Sequence, residues 1–276
     1  MKTLIKKVLK KLLSLRKIDK VLFGRNAGLR FKYNDDLNLD MMLGLHEPNT
    51  FEVFRLFIKK GMVVADIGAN VGYFSRFLSR AAGENGKLIA FEPIPQTFQR
   101  LADTVQLNGL KNVTLVNAAV GDKNGFENIF LSGTHYMASL DITWAGKSGG
   151  EIEVKSITLD SYFEELGFYP DFIKMDIEGG GVYALPGMKN CIIKNEPILL
   201  LESHTSSEDI AIGKALSLIP YEVYRVGDTR DVKYLDKDYT DGFGIYGTVI
   251  AIPKSKLNSY GNWNPKSFQR KRIGQR

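Results

Sequence analysis

From Met62 onward the chain alternates short apolar runs with amphipathic segments of helical period, and this rhythm limits its fold more than any other feature. Residues 62–67, 87–91, 113–116, 172–175 and 198–201 read as buried strands, and 71–82, 96–107, 159–166, 182–194 and 210–218 as the helices between and after them. Strands separated by helices cannot join as hairpins. They pair in parallel through right-handed crossovers, in a sheet with helices on both faces that binds ligands at the strands' carboxyl ends. Two last strands, 221–226 and 245–252, finish the α/β sheet. The polar stretch 126–154, flanked by strand-like pieces at 127–131 and 151–155, interrupts the alternation and is expected as an insertion near the sheet's top edge.

This organisation predicts a main domain over 48–255, with an insertion at about 126–155, between a basic N-terminal extension (1–47) and a basic tail (256–276). A helix is expected from Pro48 to Gly61, with proline in its first turn. Leu4, Ile5, Val8, Leu9, Leu12 and Leu13 recur at helical spacing with Lys6, Lys7, Lys10 and Lys11 between them, an amphipathic basic helix. It suits an anionic membrane surface and equally suits packing on the domain. The net charge of +6 is concentrated at the ends: residues 1–20 carry eight Lys/Arg against one Asp. Without interleaved aromatic and basic residues, no nucleic-acid partner is expected. The single cysteine, Cys191, excludes a disulfide framework and reads as a core residue in a reducing, cytoplasmic compartment. No apolar run is long enough to span a bilayer or serve as a signal peptide, so any membrane contact would be peripheral, at the inner face.

Asp66-Ile67-Gly68-Ala69-Asn70-Val71-Gly72 ends the first strand of the alternation and opens a helix, where glycine lets a ligand approach the backbone. Asn70 and Tyr73 stand where the dinucleotide fingerprint needs glycines, and the P-loop pattern is absent, so pyrophosphate binding is disfavoured. A nucleoside without phosphates remains, and S-adenosylmethionine is such a ligand: Gly68, Asn70 and Gly72 would make room, and Asp66 would face its ammonium group. A glycine turn made for packing alone gives the same pattern. Glu92 ends the next strand, about 24 residues after Gly68, where a carboxylate accepts hydrogen bonds from both ribose hydroxyls. Asn117 ends the third, bordering an adenine ring or simply forming a turn.

A second group of polar residues gathers at the next two strand ends. Phe172-Ile173-Lys174-Met175 runs into Asp176-Ile177-Glu178-Gly179, and Leu199-Leu200-Leu201 into Glu202-Ser203-His204. Asp176, Glu202 and His204 are candidates to surround an acceptor hydroxyl, with His204 as general base because an unperturbed imidazole is largely neutral at cytosolic pH. Lys174, inside an apolar strand, must snorkel, pair with Asp176 or serve the site. Asp176, Glu178 and Glu202 also offer the oxygen ligands that Mg²⁺ prefers. The same residues read structurally as a helix cap (Asp176), a solvated first-turn acid (Glu178) and a polar side chain exposed at a strand end (His204). In the insertion, His135, Tyr136 and Ser139 are candidates to cover an acceptor.

These motifs, in this order, resemble the FkbM family of S-adenosylmethionine-dependent methyltransferases. The resemblance runs from about Leu56 to His204 through Asp66-Ile67-Gly68-Ala69-Asn70-Val71-Gly72, Phe91-Glu92-Pro93, Asn117 to Asp122, Ser139-Leu140, Thr158-Leu159-Asp160, Ile173-Lys174-Met175-Asp176-Ile177-Glu178-Gly179 and Leu201-Glu202-Ser203-His204. It implies a Rossmann-like, seven-stranded methyltransferase sheet and O-methylation of a sugar, glycan or natural-product hydroxyl. Gly180, Gly181 and Pro186 depart from the more helix-friendly run usual after this motif. A nicotinamide-dependent oxidoreductase is the alternative enzyme, disfavoured by the missing fingerprint. A non-catalytic membrane-surface or nucleic-acid-binding module acting through the basic ends would show salt-sensitive binding without turnover.

Overall fold

The computed structural model describes residues 18–32, 39–131, 138–139, 150–226 and 247–260. The expected N-terminal amphipathic helix, most of the basic tail, His135 and Tyr136 lie outside them, and Ser139 is described by its backbone alone.

A short antiparallel ribbon, β1 (Ile18–Lys20) with β2 (Arg30–Lys32), is followed by α1 (Leu39–Leu43) and α2 (Pro48–Phe57). Then come β3 (Val63–Ile67), α3 (Ser75–Ala82), β4 (Lys87–Phe91), α4 (Pro95–Leu107) and β5 (Val113–Val116). A smaller unit of β6 (Ala119–Val120), β7 (Gly125–Leu131), β8 (Ala138–Ser139) and β9 (Glu151–Ile157) intervenes before α5 (Leu159–Leu166) and β10 (Phe172–Met175). The chain continues through α6 (Gly181–Ala184), α7 (Lys189–Asn195), β11 (Ile198–Ser203), α8 (Ser206–Leu216), β12 (Tyr221–Val226) and β13 (Gly247–Pro253).

Seven strands form the main sheet in the order β12-β13-β11-β10-β3-β4-β5, parallel except for β13, which runs antiparallel to both its neighbours. The chain leaves β3 toward β4 and β5 on one side and later builds β10 and β11 on the other. The crevice above the β3–β10 pair is therefore the topological switch point, where open α/β sheets hold their ligands.

Burial on both faces explains the unbroken apolar strands. Val64, Leu88, Phe172, Ile198 and Leu200 point into one core with Phe51, Phe54, Phe57 and Leu78. Their neighbours Ala65, Ile67, Ile89, Phe91, Ile173, Met175, Leu199 and Leu201 point into the other, with Phe163, Met188, Cys191 and Ile212. Full burial of each such side chain contributes about 1.5–3 kcal/mol. Val21, Leu29, Phe31 and Met42 belong to the first core, so the ribbon and α1 pack against the sheet domain.

Several local expectations change. The helix begun at Pro48 stops at Phe57 instead of Gly61, and the helix expected from Val71 begins at Ser75. The helical region expected near 182–194 is three short pieces, α6, a 3-10 turn at Pro186–Met188 and α7. Two glycines weaken the start, and Pro186 supplies no amide for a helical hydrogen bond. α8 begins four residues before the expected Ile210 because the Thr205 side chain accepts from the Glu208 amide as an N-cap. The insertion's strands join β6, which precedes them in the chain, in a four-stranded sheet, β6-β9-β7-β8, around Ile94, Ala119, Ile129 and Val154. Among the described residues, no helix is long and apolar enough to cross a membrane.

Candidate active site

The loop after β3 is shaped by glycine where nothing larger fits. Gly68 has φ 78°, and a Cβ there would lie 2.0 Å from the Asp176 carbonyl oxygen, so this turn carries no other residue without displacing the β10 end. Asn70 is also left-handed (φ 50°), a conformation asparagine tolerates better than most residues. Its amide donates to Glu92 Oε2 at 3.0 Å, while the Ile94 amide donates to Glu92 Oε1 at 3.0 Å. Glu92 thus ties the loop after β3 to the loop after β4. Burial pushes its carboxyl up to about 7, although the Ile94 and Asn70 amides and Lys174 favour the charged form. Asn117 donates to the carbonyls of Glu92 (2.8 Å) and Pro93 (3.0 Å), so its amide group fastens the neighbouring turn.

Lys174 does not snorkel. It is buried in β10, donates to the Gly68 carbonyl at 3.2 Å, and sits 3.4 Å from Asp66 Oδ1 and 3.7 Å from Asp176 Oδ2. Burial alone would lower its pKa, but the charges of Asp66, Asp176 and Glu47 outweigh that and raise it, keeping it cationic. Asp66 itself has no exposed surface. The ammonium it faces in this structure is that of Lys174.

Beyond Lys174 the strand ends converge. His204 Nε2 lies 3.3 Å from Glu178, 3.5 Å from Glu202 and 3.9 Å from Asp176. Glu178 reaches the cluster from a left-handed backbone (φ 47°). Burial and mutual repulsion push the Glu178 carboxyl up to about 7; burial pushes Asp176 to about 6 despite the opposing charge of Lys174. For His204, burial lowers the pKa, but the Glu202 hydrogen bond and the charges of Glu178 and Asp176 carry it up to about 9. The premise of a mostly neutral imidazole meets an opposing field here: Glu178, Glu202 and Asp176 beside Nε2, with Glu208 3.9 Å from Nδ1, all favour the charged form.

Glu208, which the sequence reading passed over, completes the arrangement. It is buried in the first turn of α8, accepts from the His204 amide at 2.8 Å and the Gly181 amide at 3.0 Å, and so fixes both strand-end loops. Its signal was the capping pattern Thr205-Ser206-Ser207-Glu208. His46 and Glu47, treated as connecting chain, also act electrostatically on this cluster. Among the described residues, the group whose donor atoms all lie within 4.8 Å of one another is Asp176, Glu202 and His204. That mixed nitrogen and oxygen set is not the all-carboxylate Asp176, Glu178 and Glu202 set expected for Mg²⁺.

Comparison with known proteins bears on the same stretch of chain. A family model, the methyltransferase FkbM domain, matches residues 66–231. The chain is similar to the hexuronic acid methyltransferase AglP of Haloferax volcanii, with 27% identity over 175 residues that cover 60% of this chain and 67% of that protein. It is similar to a protein-L-isoaspartate O-methyltransferase of Methanococcoides burtonii at 35% identity over 60 residues, 22% of this chain and 30% of that protein. A crystal structure of methyltransferase FkbM from Methylobacillus flagellatus superposes with a TM-score of 0.47 and 18% identity, covering 69% of this chain and 43% of that one. The chain therefore spans less than half the length of two of these three relatives. The family match covers the glycine loop, Glu92 and both acidic strand ends, and it establishes that the chain belongs to the FkbM methyltransferase family.

Proposed function

We propose that this chain is an S-adenosylmethionine-dependent methyltransferase that O-methylates a hydroxyl of a glycan or related polyhydroxylated acceptor in the cytoplasm. The observation that carries the reading is Glu92: a buried carboxylate at the switch-point crevice, each oxygen held by one backbone amide and each retaining acceptor capacity. Two acceptor oxygens side by side suit the paired hydroxyls of a ribose, while the missing Cβ atoms of Gly68 and Gly72 make room for the Asp176 carbonyl and for Leu101 and Thr104, so these glycines shape the loop through packing. When bound, S-adenosylmethionine supplies a methyl group already activated on a sulfonium.

The chain's own task is then to hold a hydroxyl and receive its proton. Asp176 and Glu178, with carboxyls near 6 and 7, are matched to exchange protons at neutral pH. His204, cationic among them, stabilises a deprotonated carboxylate and passes the proton within the cluster. Proton acceptance thus belongs to the group, with Glu202 and Lys174 setting its charge. The relative named as a hexuronic acid methyltransferase favours a sugar as the acceptor.

Calorimetry of the full chain tests the cofactor. S-adenosylhomocysteine should bind and NAD should not; binding of NAD without S-adenosylhomocysteine would replace this reading with the oxidoreductase one.

A further inference from the structure

The turn before α2 lies upstream of the family-matched residues 66–231, yet it reaches the site. The His46 ring meets Tyr73 edge-on at 5.3 Å and lies nearly parallel to Phe74, 22° between planes, at 6.3 Å. Tyr73 and Phe74 directly follow Gly72 of the candidate cofactor loop. Phe74 in turn lies under Lys174, whose Nζ is 5.4 Å from the ring centroid and 3.7 Å from Asp176. An unbroken path of contacts therefore joins His46 to the cluster around His204.

Glu47 is built to hold that imidazole. Its backbone is left-handed at φ 45° and ψ 58°, a conformation that strains a non-glycine residue and is retained where surrounding structure enforces it. Glu47 Oε1 lies 3.0 Å from His46 Nε2, and Oε2 accepts from the Thr50 hydroxyl at 2.9 Å. Burial would lower the His46 pKa, but the hydrogen bond and charge of Glu47, with the charges of Asp176 and Glu202, raise it. Asp176 and Glu202, which approach His204 directly, also act on His46 through their charge.

We propose that His46, oriented by Glu47, is a second imidazole of the acceptor pocket and binds a hydroxyl of a polyhydroxylated acceptor alongside Asp176 and Glu202. The chemistry fits adjacent hydroxyls, because a carboxylate accepts from two of them while an imidazole donates to or accepts from a third. His46 is a positioning and specificity residue for the reaction. This assignment rests on the glycan methyltransferase reading for its acceptor, and for its placement on the ring contacts with Tyr73 and Phe74 together with the charges of Asp176 and Glu202.

The test uses the full chain as wild type, His46→Ala, His46→Gln and Glu47→Gln. Initial rates of methyl transfer from labelled S-adenosylmethionine are measured against concentration of the glycan extract that the wild type labels. His46→Ala should raise the apparent KM for the extract about tenfold or more, the scale of a hydrogen bond to a charged group. It should leave S-adenosylhomocysteine affinity unchanged, with His46→Gln recovering part of the loss and Glu47→Gln falling between. If His46→Ala leaves KM unchanged, or only lowers melting temperature and S-adenosylhomocysteine affinity together, His46 merely packs against Tyr73 and Phe74 and the proposal is overturned. A second measurement needs no acceptor: nitrogen NMR of the chain's three imidazoles. Glu202→Gln should move the His46 resonances as well as those of His204, and an unmoved His46 overturns the placement even if methyl transfer is confirmed. If the wild type labels no extract while His46 does respond, the functional reading fails and the placement stands.

Discussion

The ammonium of Lys174 lies 3.4 Å from the Asp66 carboxylate, directly beside it in the register of β10 and β3. Two central strands are thereby joined by a buried charge pair beneath the glycine loop. Lys174→Met should cost about 3–5 kcal/mol, because it leaves Asp66 buried without its cation. Asp66→Asn in the same chain should recover much of that loss, since the uncompensated charge is removed. Urea unfolding of the single and double variants measures both. A double variant no more stable than Lys174→Met would show that the pair is not coupled.

Glu92 should govern cofactor affinity. Glu92→Gln keeps the size but places an amide nitrogen against one of the backbone donors, Asn70 or Ile94, and should weaken S-adenosylhomocysteine binding by about 2 kcal/mol. Glu92→Ala should weaken it further, with a lower melting temperature as both amides lose their partner. Calorimetry reads the first effect and thermal melts the second. Unchanged affinity in Glu92→Gln would remove Glu92 from the cofactor site.

Most of this architecture is legible in the sequence, and for identifiable reasons. Buried parallel strands leave continuous apolar runs, and the Asp66 to Gly72 and Lys174 to Gly179 segments mark the two strand ends where glycine and charge meet. What the sequence does not reveal depends on contacts between distant segments. Asp66 offers a carboxylate in sequence, but only the register with Lys174 shows that it is already paired. A histidine reads as neutral until Glu178, Glu202 and Asp176 are seen around it. His46 lies about 20 residues before the glycine loop with no motif around it, so only its packing on Tyr73 and Phe74 brings it to notice.

The acidic surroundings of His204 should appear as a pH dependence of stability. Its folded pKa of about 9 lies above the ordinary 6.5, so its stabilising contribution is fully present below 6.5 and is lost as pH rises through 9. Melting temperature of the ligand-free protein should fall across that window, and His204→Gln should flatten the fall. A wild-type melting curve that is flat or rising from pH 6.5 to 9 would contradict the assigned field.

His204 should also separate binding from chemistry. His204→Ala should lower methyl transfer by about 10²-fold while S-adenosylhomocysteine affinity stays close to wild type, because acid–base contributions are of that size. Activity that survives this change yet collapses on chelation would assign the role to a metal held by the remaining carboxylates.

The basic N-terminal residues should attach the protein weakly to anionic membranes. Truncation must stop before Ile18, because Ile18–Lys20 pairs with Arg30–Lys32. Removing residues 1–17 should abolish co-sedimentation with phosphatidylserine vesicles at low salt and leave cofactor binding intact. Aggregation of the truncated chain would instead assign the segment to the core.

Methyl transfer to a sugar hydroxyl is the reaction proposed for this chain. Incubation of the full chain with methyl-labelled S-adenosylmethionine and separated glycan, lipid and RNA extracts tests it most directly, with alkali-stable label on a sugar distinguishing an ether from a carboxyl ester. Label should appear in the glycan fraction as a sugar methyl ether and be lost in His204→Ala. Label confined to RNA or lipid, or carried as an alkali-labile ester, would contradict it.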